Sequence, residues 1–191
     1  GAMIMVSSND LITLFVGLEL LSITSYVLAG IRKRSLQSAE GAFKYVVIGG
    51  ISTAFTLYGM SFLYGMTGTT HIGQIREMLE ISVDQFDSLL YVSFLLLFTG
   101  LAVKIAAAPF HAWAPDVYQG AATPVTAFLA VVSKGAGLAV IFRLVLHAYN
   151  GLYGMETNVS RDLSAAMLAI AAAAMIIGNL AALKQENIKR L

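Results

Sequence analysis

The 191-residue sequence contains no cysteine. That absence excludes disulfides, thiolate metal sites and cysteine-held clusters, and it leaves the redox compartment unread. Proline is nearly as scarce: Pro109, Pro115 and Pro124 are the three present, all in one short stretch, so most of the chain is free to run as uninterrupted helix. Charge is the third shortage. Asp, Glu, Lys and Arg make up 12% of the residues against 58% hydrophobic ones, with a mean hydropathy of +0.76. A soluble domain carries about 25% charged residues and could not hide this much apolar surface, so the composition points to a membrane.

Long apolar runs are what the chain has in their place. A bilayer core of about 30 Å takes about 20 apolar residues per helical crossing, and five runs qualify: 11–31, 45–66, 88–110, 125–149 and 163–183. A soluble helical bundle needs polar faces at helical spacing, and the alanines 171–174 followed by Met-Ile-Ile-Gly offer none. The reading is all-α, a polytopic transmembrane bundle of one domain over 4–191. Residues 1–3, Gly-Ala-Met, look like the remnant of a removed tag, and 188–191 stop with no helix-ending signal, as though cut from a longer protein. No basic segment and cleavage site precede the first run, which is therefore not a signal peptide. Gln74 and its neighbours, in Ile-Gly-Gln-Ile-Arg-Glu-Met-Leu, predict a short amphipathic helix at the surface.

The net charge of +1 says little about partners, but its placement says more. Arg32, Lys33, Arg34 and Lys44 follow the first run, and Lys184, Lys189 and Arg190 follow the fifth. The alternate loops hold Arg76 and Arg161 beside Glu77, Glu80, Asp84, Asp87, Glu156 and Asp162. The positive-inside tendency then places the N-terminus outside and the C-terminus in the cytoplasm. Small residues such as Gly49, Gly50, Ser52, Ala54, Gly135, Ala136 and Gly137 read as sites where helix backbones approach closely.

Three charges interrupt the runs. Glu19 and Lys134 lie near the middle of theirs and Lys104 deeper along its own, and each costs about 2.5–3.5 kcal/mol to insert, so something must compensate. One reading is a Glu–Lys clamp between helices, although such pairs often fail to recover their desolvation cost. Two lysines to one glutamate leave a lysine over, which a proton relay explains and a clamp does not. Pro109, five residues after Lys104, predicts a break near 106–109, tolerable in lipid only where freed carbonyls meet water or polar groups. His111 is placed to pass protons or to hydrogen-bond the broken helix, His147 to face a water inlet, and His71 to be solvated. The histidines lack ligand spacing, so no metal site is expected. Tyr118, Thr123 and Thr126 read as caps of the next helix, and Arg143 as a side chain snorkelling outward. No phosphate loop, dinucleotide fingerprint or nucleophile constellation appears.

Pro-Phe-His-Ala-Trp-Ala-Pro-Asp-Val-Tyr-Gln-Gly-Ala-Ala-Thr-Pro-Val-Thr-Ala-Phe, with a lysine five residues before its first proline, resembles the signature of the antiporter-like membrane subunits of respiratory complex I and of the related multisubunit cation/proton antiporters. Gly-Leu-Glu-Leu-Leu-Ser around Glu19, and Gly-Asn-Leu-Ala-Ala-Leu-Lys-Gln-Glu-Asn near the end, resemble other segments of that family. The Asp-Val-Tyr wording and Val-Ser-Lys-Gly-Ala-Gly around Lys134 are most similar to the subunit N branch of NADH-quinone oxidoreductase. One departure is Ala122, where the family usually has proline.

The resemblance implies an inverted-repeat antiporter-like fold, of which this chain corresponds to the family's fifth to ninth helices. It also implies that Glu19 pairs with the broken-helix lysine, Lys104, and that Lys134 is the central lysine receiving the proton. The subunit is then expected to bind no cofactor itself, with quinone, FMN and iron-sulfur clusters in other subunits. Its partners would be other complex I membrane subunits and the lipid bilayer, with no nucleic acid and no small-molecule substrate beyond protons. The location implied is a bacterial plasma membrane. A sodium/proton antiporter subunit and a structural membrane scaffold are the alternatives.

Overall fold

The computed structural model describes residues 1–82, 85–149, 152 and 158–190. Among them the secondary structure is helical apart from an isolated bridge between Asp10 and His71. The helices are α1 (Ala2–Ser7), α2 (Leu11–Ala29), α3 (Leu36–Thr67), α4 (Ile72–Ser82), α5 (Asp87–Ile105), α6 (Ala114–Gly120), α7 (Thr123–Ala148) and α8 (Asn158–Ala182). Five of them, α2, α3, α5, α7 and α8, are long and apolar enough to cross a bilayer. Asp84 and Glu156, part of the charge count above, lie outside the described residues.

The observed bounds depart from the expected ones for local reasons. Helix α2 starts where Asp10 accepts from the Ile12 and Thr13 amides, at 2.9 and 3.1 Å, an N-cap that satisfies otherwise orphaned donors. Helix α3 starts nine residues before the expected 45, because Ser35 caps it by accepting from Ser38 N at 3.3 Å. At 32 residues it is about 48 Å long, more than a bilayer core is thick, so its charged first turns extend past the apolar zone. It ends at Gly68, whose φ of 69° is a conformation that glycine adopts at little cost. Residues 1–3, expected to be a tag remnant, begin α1, which packs on α2 through the fully buried Met5.

The centre of the fold is an antiparallel seam between α3 and α5. Ser52 Oγ donates to the Gly100 carbonyl at 2.8 Å and Ser93 Oγ donates to the Gly59 carbonyl at 2.9 Å, so each helix offers a serine to the other's glycine, seven residues apart. The glycines are required for this approach: a Cβ at Gly59 would stand 2.6 Å from Leu97 N, and one at Gly100 would stand 2.0 Å from Thr56 Oγ1. In lipid such close contact and interhelical hydrogen bonding replace the hydrophobic effect as the source of association. Of the small residues named above, Ser52 is buried in this seam and Gly49 against Tyr26 of α2, whereas Gly50, Ala54 and Gly135 are exposed.

Apart from Glu19, Lys104 and Lys134, charged contacts gather at two ends. At one, Asp116 of α6 binds Lys44 of α3 at 2.6 Å and Arg190 at 3.0 Å, and Lys189 Nζ donates to the Ala121 carbonyl at 3.1 Å. At the other, Tyr91 Oη donates to Asp162 at 2.8 Å and Arg76 pairs with Glu80 at 3.2 Å. Arg143, expected only to snorkel, reaches the Val6 carbonyl and the Asn9 side chain, tying α7 to the α1–α2 corner. Helix α8 leaves most of its apolar face open, with Leu168, Met175 and Leu180 all exposed.

Candidate functional site

The break in α5 falls three to four residues before Pro109. Ile105 is the last helical residue, and Ala106 follows in the left-handed conformation with φ 55°. Ala106 N donates to the Val103 carbonyl at 3.0 Å and Ala107 N donates to the Ala102 carbonyl at 2.9 Å, the paired bonds of a Schellman ending. Pro109, joined to Ala108 by a cis peptide, sits just beyond, where it cannot continue the helix. The indole of Trp113 turns back and donates to the Val103 carbonyl at 3.0 Å. Backbone and tryptophan thus take up the Ala102 and Val103 carbonyls, supplying the polar partners that the break requires.

Lys104 occupies the last turn of α5, where the carbonyl end of the helix favours a cation. It is 7% exposed, and its Nζ donates to Ser22 Oγ of α2 at 2.8 Å. Ser22 spends its own proton on the Leu18 carbonyl at 2.7 Å, so toward Lys104 its oxygen is an acceptor. Ser22 lies about 16 Å along α2, half the depth of a bilayer core. Glu19, one turn away on the same face of α2, is half-buried and accepts from Thr53 Oγ1 of α3 at 2.6 Å. Glu19 and Lys104 therefore occupy one neighbourhood without a direct ion pair: a serine holds the lysine and a threonine holds the carboxylate. This corrects the expectation of a Glu19–Lys104 pair. Hydroxyls on α2 and α3 offer each group a neutral partner in the helix seam.

Lys134 stands about 16 Å from the start of α7, again near mid-depth. It follows directly on a π-helical stretch, Leu129–Ser133, a wide turn of the kind frequent at functional positions. Gly135 and Gly137, read above as sites of close approach, come after the irregular turn; Gly137 lets Ile105 pack against α7, whereas Gly135 meets open space. Lys134 Nζ lies 5.2 Å from the centroid of the Tyr118 ring and has no hydrogen bond or ion pair among the described residues. A cation over a desolvated aromatic face gains on the order of 2 kcal/mol, well short of the cost of enclosing an ammonium. What the position offers is a cavity of about 320 Å³ that Lys134, His111 and Tyr118 line on one side and Gly178, Gln185 and Arg190 on the other.

His111 is half-buried in that cavity with its Nδ1 enclosed and unpaired, so the structure brings it to Lys134. His147 is exposed at the far end of α7, away from both lysines. Thr126 Oγ1 donates to the Tyr118 and Ala122 carbonyls, at 3.0 and 3.3 Å, joining α6 to α7; the N-cap of α7 is Ala122 with no side-chain cap, which corrects the expectation that Tyr118, Thr123 and Thr126 cap this helix. Ser22 and Thr53 were missed from sequence. Ser22 was within reach, because a serine three residues after a buried glutamate shares its helix face; nothing local marks Thr53.

The fold and the positions of these residues can be set beside known proteins. The sequence profile of a membrane family described as NADH:quinone oxidoreductase/Mrp antiporter, TM, matches residues 8–191. The chain belongs to this family. Among the family's curated members, NADH-quinone oxidoreductase subunit N of Paenibacillus sp. (strain JDR-2) is 56% identical over 192 residues, covering 100% of this chain and 37% of that protein. Two solved structures share the family fold. A chain of respiratory complex I from Thermus thermophilus with bound Aureothin superposes with a TM-score of 0.80 at 35% identity, covering 100% of this chain and 38% of its own. A chain of the membrane-bound sulfane sulfur reductase, an archaeal respiratory membrane complex, gives a TM-score of 0.84 at 31% identity, covering 99% and 37%. The chain thus spans under two fifths of the length of these relatives, and it is an antiporter-like, multi-pass membrane segment of the family.

Proposed function

We propose that this chain is part of a proton-translocating membrane subunit of an NADH-quinone oxidoreductase, moving protons along Glu19, Lys104 and Lys134 when quinone reduction in other subunits perturbs their charges. One observation carries the reading: Lys104 and Lys134 lie at mid-depth on neighbouring elements, one held by a neutral hydroxyl beside a helix break and the other bordering a cavity with no carboxylate partner. A clamp would close Glu19 directly on Lys104 and would have no use for Lys134. In the relay, Glu19 modulates the charge state of Lys104 from one helical turn beyond Ser22, Lys104 passes its proton toward Lys134, and the Lys134 cavity delivers it onward, with His111 beside the exit.

FMN, iron-sulfur clusters and quinone are assigned to other subunits, and the partners are other membrane subunits of the complex together with lipid. The basic end around Arg32, Lys33 and Arg34 faces the cytoplasm of a bacterial cell, following the positive-inside tendency.

The test is Lys134→Met in the full-length subunit within its assembled complex, reconstituted into vesicles. Loss of NADH-driven proton pumping with normal assembly is expected. Intact pumping would favour the scaffold reading. Proton movement driven by an imposed sodium gradient without NADH would favour the sodium/proton antiporter reading.

A further inference from the structure

A buried row of aromatic side chains lies between the two lysines. Tyr45 of α3 is 4% exposed, with its ring flat on Trp113 at 4.6 Å and 6°, and edge-on to Tyr26 at 4.7 Å and 85°. Trp113 meets Tyr118 edge-on at 6.4 Å, and Tyr118 lies beneath Lys134. At the other end, Tyr26, Tyr45 and Trp113 share with Ser22 and Lys104 a cavity of about 10 Å³, room for roughly one water. Ser133, next to Lys134 in the chain, lies beside Tyr45.

Ring packing accounts for only part of this row. The hydroxyls of Tyr45 and Tyr118 are both enclosed; among the described residues neither makes a hydrogen bond of ordinary geometry, and Ser25 and Ser133 lie beside that of Tyr45. Phenylalanine at either position would make the same stack without burying a polar group, and buried hydroxyls in folded proteins nearly always meet a partner or a bound water. Tyr45 borders a water-sized space at Lys104 and the Tyr118 ring lies under Lys134, so the side chains that carry these two hydroxyls run from one lysine to the other.

We propose that the Tyr45 hydroxyl is a link in the proton path from Lys104 to Lys134, joined at each end by a water. The Lys104 ammonium gives a proton to the first water, and that water passes one to Tyr45 Oη as Tyr45 releases its own to the next. The Lys134 amine takes up the last proton. Lys104 ends neutral, Lys134 ends as an ammonium, and Tyr45 and the waters are unchanged. The proposal rests on the relay reading above and names a residue that the reading does not contain.

The experiment is Tyr45→Phe in the full-length subunit of the assembled complex in vesicles, with Lys104→Met in parallel. Tyr45→Phe keeps the stack on Trp113, so normal assembly is expected, with pumping slowed by roughly tenfold or more and a larger solvent deuterium effect on the pumping rate. Wild-type pumping with an unchanged isotope effect overturns the proposal. If Tyr45→Phe prevents assembly, difluorotyrosine placed at position 45 keeps the shape and makes the hydroxyl more acidic: a changed pumping rate supports the path, and an unchanged one overturns it. Should Lys104→Met pump normally, the relay itself fails; should Lys104→Met stop pumping while Tyr45→Phe does not, only the role of Tyr45 fails.

Discussion

Replacing Ser22 with alanine tests the most specific contact in the site. Ser22 Oγ is the acceptor for Lys104 Nζ at 2.8 Å, and Lys104 is 7% exposed, so bulk water does not take the lost partner's place. A hydrogen bond to a charged group contributes about 1.5–3 kcal/mol, a factor of roughly ten to 150 in where the lysine head resides. A charged acceptor in the same neighbourhood is Glu19, one turn from Ser22 along the same helix face, whose carboxylate is held by Thr53 at 2.6 Å. Ser22→Ala therefore converts the spaced arrangement into a direct Glu19–Lys104 pair, which immobilises both groups. The assay is NADH-driven pumping by the full-length complex in vesicles, alongside its quinone reductase rate and the amount assembled. Pumping is expected to fall by roughly tenfold or more with assembly preserved, and Ser22→Thr, which keeps a hydroxyl, to retain most of it. Wild-type pumping in Ser22→Ala would refute the claim that this serine holds Lys104 in a transferable state.

Gly100→Ala forces a Cβ to within 2.0 Å of Thr56 Oγ1 and 2.8 Å of the Ser52 carbonyl, so the α3–α5 seam must open. A loss of about 1–3 kcal/mol or more is expected, read as a lower melting temperature of the assembled subunit, whereas Gly135→Ala, with open space around it, should leave stability unchanged. Ala106→Gly removes the penalty of a side chain at φ 55° and should raise the melting temperature by the equivalent of about 1 kcal/mol. Lys44, and then Arg190, hold the Asp116 carboxyl below its ordinary 3.8. Since that group is depressed in the folded state, its contribution is fully present above the ordinary value and is lost as pH falls through the native one. Asp116→Asn should therefore flatten the stability-against-pH curve below pH 3.8 while costing only about 1 kcal/mol at neutral pH, because these partly exposed pairs are screened.

The spans and the mid-depth charges were legible because membrane depth imposes a length rule and a charge penalty that any sequence displays. The five long helices fall where the apolar runs lie, and the break appears within a residue of the expected stretch. Pro109 announced that break, but the geometry is set by Ala106 and the Schellman bonds, a local backbone state that alanine does not advertise. The early start of α3 escaped notice because its first turns are polar, and a capping serine such as Ser35 is read only when a helix start is sought there. At the site, Glu19 and Lys104 stood out as charges, whereas the groups that hold them, Thr53 and Ser22, are uncharged residues supplied by packing between α2, α3 and α5. The stacking of Tyr45 on Trp113 joins residues far apart in the chain, and no periodicity reports such a contact.

The most direct test of the central claim is the number of protons moved per NADH oxidised by the assembled enzyme in sealed vesicles, compared between wild type and the Lys104→Met and Lys134→Met variants of the full-length subunit. A relay through these lysines predicts a lower ratio in both variants at equal assembly. An unchanged ratio in both, with normal NADH oxidation, would contradict it.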